Sequence, residues 1–121
     1  MDTAIKVHHI ALRVADPHAS AVFYSGLLGL PEVRRIGDQD GLRAVWLRAQ
    51  GTLLMLERAL RGSGAAEGSG HLLAFGVDDL DGWERRLTTA GVTIADRTAH
   101  TLYFADPDNH RVAVSVYRAE D

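Results

Sequence analysis

Cysteine is absent from this chain of 121 residues, which excludes a disulfide framework, thiolate zinc or iron–sulfur sites and a cysteine nucleophile. An excess of positive charge is also missing. Thirteen Lys and Arg stand against sixteen Asp and Glu, for a formal net charge of −3. That balance gives no footprint for nucleic acid or an anionic membrane. The pairs Arg34-Arg35 and Arg85-Arg86 are expected on solvated surface. No apolar run approaches the ~18 residues that a membrane span requires. The first residues carry one lysine and no apolar h-region, so no secretory signal is expected and the cytoplasm is the expected location. Aromatic residues make up only 7%, yet 46% hydrophobic and 24% charged residues lie in the normal globular band. The length suits one domain with a real core of its own.

What is present is a pattern written twice. His9-Ile-Ala-Leu-Arg-Val-Ala-Asp16 and Leu72-Leu-Ala-Phe-Gly-Val-Asp-Asp79 both alternate and then meet an acidic residue. Alternation predicts a strand with one face buried. Ile10, Leu12 and Val14 form the apolar face of the first copy, with His9, Ala11 and Arg13 opposite. Leu73, Phe75 and Val77 do the same in the second, with Leu72, Ala74 and Gly76 opposite.

Each copy continues into a helix. Asp16 is a good N-cap followed by Pro17, and Ala19, Val22, Phe23 and Leu27 are the expected buried stripe, stopping near Gly29. Asp79 caps the second helix, whose stripe is Leu80, Trp83, Leu87 and Ala90 before Gly91. Strands are expected at Val33–Ile36, Leu42–Leu47 and Thr52–Glu57, then at Thr93–Asp96, Thr101–Phe104 and Arg111–Tyr117. Ala49-Gln50-Gly51 turns one hairpin; Asp106-Pro107-Asp108-Asn109 turns the other, with Asn109 suited to a left-handed conformation. Residues 61–70 contain four glycines and two serines and read as a flexible linker. The organisation is βαβββ, linker, βαβββ, an α+β chain with module 1 at about 1–60 and module 2 at about 71–121.

Taken in order, His9-Ile-Ala-Leu-Arg-Val with Asp16, Phe23-Tyr24 through Leu28-Gly29-Leu30, Val77-Asp-Asp79 and Asp106-Pro-Asp-Asn109 resemble the vicinal oxygen chelate superfamily of glyoxalase, bleomycin-resistance and extradiol-dioxygenase proteins. The resemblance covers nearly the whole chain. It implies two modules whose mixed sheets curl around a central cup, with the helices outside and the ligand chemistry inside.

The resemblance also implies metal positions on the first and last strands of each module, usually His and Glu, around an ion acting as a Lewis acid or, as iron, on oxygen. His9 fills the first position. Leu72 stands at the second, with His71 one residue off and so on the opposite strand face unless a bulge intervenes. Ala113 stands where the family has Glu, and it cannot coordinate. Met55 takes the remaining position, with Glu57 on the same face. No cofactor is therefore expected. The alternative is a divalent Zn, Ni, Mn or Fe ion held by His9, Glu57 and His71, which requires both a shifted register and a bulge.

Continuing the alternation, Ala44 and Trp46 line the cup, as do Thr101 and Tyr103, and so do Arg111, Ala113, Ser115 and Tyr117. The candidate ligand-binding set is His9, Arg13, Trp46, Met55, Glu57, Leu72, Tyr103, Ala113, Ser115 and Tyr117. An apolar lining with sparse polar groups is typical of a small-molecule pocket. The expected function is binding of a small planar or aromatic molecule, in a resistance-type or accessory metabolic role. The rivals are a metal-dependent lyase, isomerase or ring-cleaving dioxygenase using His9, and metal-free acid–base chemistry at His9 or Glu57. A homodimer is expected, because many relatives exchange modules between subunits and the linker length permits it.

Overall fold

The structure, a computed structural model, describes residues 4–61 and 70–118. The linker reading falls mainly on residues 62–69, outside the described residues. The chain divides into two compact units, one within residues 1–64 and one within 65–121. Each is a βαβββ module carrying a four-stranded mixed sheet, so the fold is α+β. Among the described residues no helix is long and apolar enough to cross a membrane.

In the first unit β1 (His9–Arg13), β2 (Glu32–Asp38), β3 (Gly41–Ala49) and β4 (Thr52–Glu57) lie in the order β1-β4-β3-β2. β1 runs parallel to β4, and the remaining pairs are antiparallel hairpins. Gln50 closes the β3–β4 turn at φ 56°, the left-handed region a tight hairpin uses. Val45, Leu47, Leu54 and Leu56 are buried, on the face opposite Ala44, Trp46, Met55 and Glu57. Period-two alternation puts these apolar β-branched and leucine side chains together on one side.

Helix α1 (Pro17–Ala21) starts where the Asp16 carboxylate accepts the His18 N–H at 3.0 Å. It then widens into π-helical turns over Val22–Leu27, with the Leu28 N–H reaching back to the Phe23 carbonyl at 3.0 Å. The burial pattern corrects the expected stripe. Val22 is 57% exposed, while Pro17, Ser20, Ala21, Phe23 and Tyr24 are buried. Pro17, Ser20, Ala21 and Tyr24 follow i, i+3, i+4 and i+7 spacing on one face, and Val22 lies one step round from Ala21, off that face. Gly29, at φ 85°, ends the segment.

In the second unit β5 (Leu72–Gly76), β6 (Asp96–Arg97), β7 (Thr101–Ala105) and β8 (Arg111–Ser115) lie in the equivalent order β5-β8-β7-β6. Leu102, Phe104, Val112 and Val114 are buried beside α2 (Leu80–Thr89), whose own buried residues are Leu80 and Leu87. The Asp79 carboxylate caps α2 through the Gly82 N–H at 3.0 Å. Four expectations need correction. Ala90 is exposed because the chain leaves helical geometry there, and Trp83 is only half-buried, with the Arg86 guanidinium 5.2 Å from its ring centroid. The strand expected at Thr93–Asp96 is the shorter Asp96–Arg97, because Val92 is still tied back to the Leu87 carbonyl. The last strand ends at Ser115 rather than Tyr117, because the Val116 and Tyr117 N–H groups turn to the His100 carbonyl and to Ser115 Oγ.

Candidate ligand-binding site

Strand register decides which side chains share a face. In the first unit Ala11, Met55, Trp46 and Arg34 form one row across four strands, and Arg13, Glu57, Ala44 and Ile36 form the next. His9 lies a further row away, opposite Leu53. Trp46 leans along the face and donates its indole N–H to Glu57 Oε2 at 2.7 Å. Arg13, the Cα partner of Glu57, turns its guanidinium to the Leu60 carbonyl at 2.8 Å instead. The Arg34 guanidinium lies 5.5 Å from the centre of the Trp46 ring. Trp46, Met55, Glu57 and Arg13 are all half-buried, so the face is neither filled core nor open solvent.

Arg34 is the residue that the sequence reading misses. Both it and Arg35 are exposed, as expected of a solvated pair, but their side chains diverge. Arg35 bonds Glu32, which raises its pKa by hydrogen bonding, whereas Arg34 is set opposite Trp46. The cause is a register shift between Glu32 and Arg34, one of two irregularities in the β2–β3 pairing. Simple alternation in β2 carries no sign of it.

The equivalent face of the second unit is smaller and more neutral. Leu72, Ala74 and Gly76 on β5 pair with Arg111, Ala113 and Ser115 on β8, and Tyr103 on β7 pairs with Ala113. Ala113 is fully buried, whereas Leu72 is exposed. Ser115 Oγ lies 2.8 Å from Thr101 Oγ1, donates to the His100 carbonyl at 3.2 Å and accepts from Tyr117 N–H at 3.1 Å. Those contacts hold the end of the strand and leave the hydroxyl in a structural network. Tyr117, expected on this face, lies beyond the strand and is 68% exposed, packed loosely against His100 with ring centroids 6.0 Å apart.

The potential metal donors do not converge. His9 and Glu57 stand four residues apart along paired parallel strands, about 13 Å of strand rise. His9 Nδ1 lies 2.9 Å from His8 Nδ1, and Glu57 is bonded to Trp46. The β5–β8 register advances one residue at a time from Leu72 to Gly76, and His71 lies just before its first pair. Among the described residues no three His, Asp or Glu side chains form a group able to hold a metal ion. At the positions that the resemblance assigns to a metal, Met55, Leu72 and Ala113 supply no His, Asp or Glu.

A family model described as the Glyoxalase/Bleomycin resistance protein/Dioxygenase superfamily matches residues 6–114. The chain belongs to this superfamily. Solved structures agree on the fold. Lactoylglutathione lyase from Agrobacterium tumefaciens is 19% identical, with 94% of this chain and 95% of that one covered and a TM-score of 0.74. TnmS3, an antibiotic binding protein from Streptomyces sp. CB03234, is 19% identical over 95% and 98% of the two chains, with a TM-score of 0.72. The fosfomycin resistance protein FosX from Listeria monocytogenes, solved with Mn(II) and sulfate, is 18% identical over 99% and 97%, with a TM-score of 0.73. The curated proteins contain no match at a comparable standard. Superfamily membership accounts for the duplicated βαβββ pattern. It leaves the chemistry to the faces just described, because one fold serves many functions.

Proposed function

We propose that this superfamily member binds a small planar or aromatic molecule without a resident metal, in a resistance-type or accessory metabolic role. The observation that carries the reading is the Trp46–Glu57 hydrogen bond on a half-buried sheet face. It holds a large aromatic surface in one orientation, with Ala11, Ala44 and Met55 as low relief around it. A pre-oriented aromatic ring loses little entropy on stacking, so it gives affinity at small cost. The likeness to an antibiotic-binding protein supports a binding role. The missing donors at Met55, Leu72 and Ala113 weigh against a metal-dependent lyase or dioxygenase.

The test is quenching of Trp46 fluorescence by neutral planar heteroaromatics such as quinoline and naphthol, compared between the native chain and Trp46→Phe. Trp83 is half-buried with Arg86 against it, so it contributes a background that Trp83→Phe removes. The reading requires saturable quenching that Trp46→Phe abolishes, with affinity falling about three- to tenfold for the roughly 0.5–1.5 kcal/mol of stacking lost. Saturable binding that Trp46→Phe leaves unchanged places the ligand elsewhere and defeats the reading.

A further inference from the structure

The Glu57 carboxylate is half-buried and has a single side-chain partner, the neutral indole N–H of Trp46. Other acids of this unit are matched differently: Glu32 bonds Arg35, Asp38 takes both oxygens to Arg58, and Asp16 caps a helix. Arg13 stands beside Glu57 in register, but no ion pair joins them, and its guanidinium donates to the Leu60 carbonyl. Glu57 Oε1 therefore accepts no hydrogen bond among the described residues while lying on the same face as Trp46. A half-buried carboxylate oxygen with no cation beside it is open to a charged donor, and such charge-assisted hydrogen bonds are the stronger kind.

The indole adds a second, independent observation. Its N–H is bonded to a carboxylate, which polarises the ring and raises the negative charge of its face. The Arg34 guanidinium already lies over that ring, 5.5 Å from the centroid. Arg34 comes from exposed β2, at the edge of the sheet, and its side chain makes no ion pair or hydrogen bond among the described residues. Its planar cation shows what this ring accepts.

We propose that Glu57 and Trp46 form a subsite for a planar, positively charged nitrogen group of the ligand, an amidinium, guanidinium or protonated aromatic amine, for which Arg34 is the resident substitute. The proposal rests on the small-molecule reading above and names the class of ligand. The incoming cation stacks on the indole, displaces Arg34 outward and donates N–H to Glu57 Oε1.

Three probes of one shape separate the terms: benzamidinium, neutral benzamide and anionic benzoate. The readout is the indole ¹⁵N–¹H resonance of Trp46, assigned by its loss in Trp46→Phe. Benzamidinium shifts it saturably, with affinity about tenfold above benzamide and more above benzoate, the difference expected of a charged hydrogen bond. Glu57→Gln, which retains an acceptor for the indole N–H, brings benzamidinium down to benzamide. Arg34→Ala strengthens benzamidinium about threefold, because the competing cation is gone. Benzoate binding as tightly as benzamidinium overturns the subsite, and so does a benzamidinium preference that survives Glu57→Gln. If benzamide still shifts Trp46 in those cases, the broader small-molecule reading stands. If no probe moves the resonance, the subsite is overturned; failure of quinoline and naphthol to quench as well overturns the broader reading.

Discussion

Trp46 and Glu57 meet across the β3–β4 hairpin at 2.7 Å, although Met55 is the Cα partner of Trp46 and Ala44 that of Glu57. The bond is therefore diagonal, and the small Ala44 side chain leaves the indole room to lean. Glu57→Ala removes the acceptor of a half-buried N–H and should cost about 1–2 kcal/mol. Glu57→Gln keeps an acceptor and should cost less than half of that. Urea unfolding of the two variants checks the order, and equal midpoints would show that the hydrogen bond contributes nothing to stability.

The two acidic caps should behave alike, since each module starts its helix the same way. Asp16 accepts from His18 N–H and Asp79 from Gly82 N–H, both at 3.0 Å. Asp→Ala at either position should destabilise by about 0.5–2 kcal/mol. Gly82 carries an extra constraint: a Cβ there would stand 2.5 Å from Asp79 Oδ2. Gly82→Ala should displace that carboxylate, so its helix-propensity gain of about 1 kcal/mol should be largely cancelled. Thermal melts of Asp79→Ala, Gly82→Ala and the double variant show this as non-additivity. In the double variant the propensity gain from Gly82→Ala should reappear, because no carboxylate is left to displace.

The sequence displayed the sheets better than the helices, for a physical reason. Strand alternation has an integral period, so Leu54, Leu56, Val112 and Val114 could be assigned to one face without knowing the fold. The first helix was less legible, because its buried face is carried by Ser20 and Tyr24 as well as by apolar residues, while apolar Val22 is exposed. Helix ends were similarly opaque: Ala90 fits the spacing but lies where the backbone has already left the helix. Arg34 shows what a local rule misses, since a register shift in β2 brings it to Trp46. Nothing in residues 32–38 announces that shift. The duplicated motif, by contrast, was enough to identify the superfamily, because its spacing is repeated across the whole chain.

Each module leaves sheet edges at β1 and β2 or at β5 and β6. Edge strands with free backbone groups favour pairing with another chain, and natural proteins cover them. We expect a homodimer, and light scattering at micromolar concentration should return twice the 13.2 kDa chain mass. A mass near that of one chain, independent of concentration, contradicts the expectation.

The last prediction concerns metal content. His9 is the one ordinary donor among the four positions that the resemblance assigns to a metal; Met55, Leu72 and Ala113 occupy the others. A thioether is a poor ligand for a hard divalent ion, and aliphatic side chains offer none. Glu57 holds Trp46 through Oε2, and it sits about 13 Å along the strands from His9. Purified protein supplemented with Zn, Ni, Mn or Fe and then desalted should therefore retain well under one equivalent by plasma mass spectrometry. The exposed His8–His9 pair, with Nδ1 atoms 2.9 Å apart, should give only weak binding that desalting removes. Chelator treatment should leave the melting temperature unchanged, because a metal bound only to the folded state would raise it by mass action. One equivalent that survives desalting and disappears in His9→Ala would defeat the metal-free reading. It would return the chain to the metal-dependent enzymes, with ligands that the described residues do not bring together.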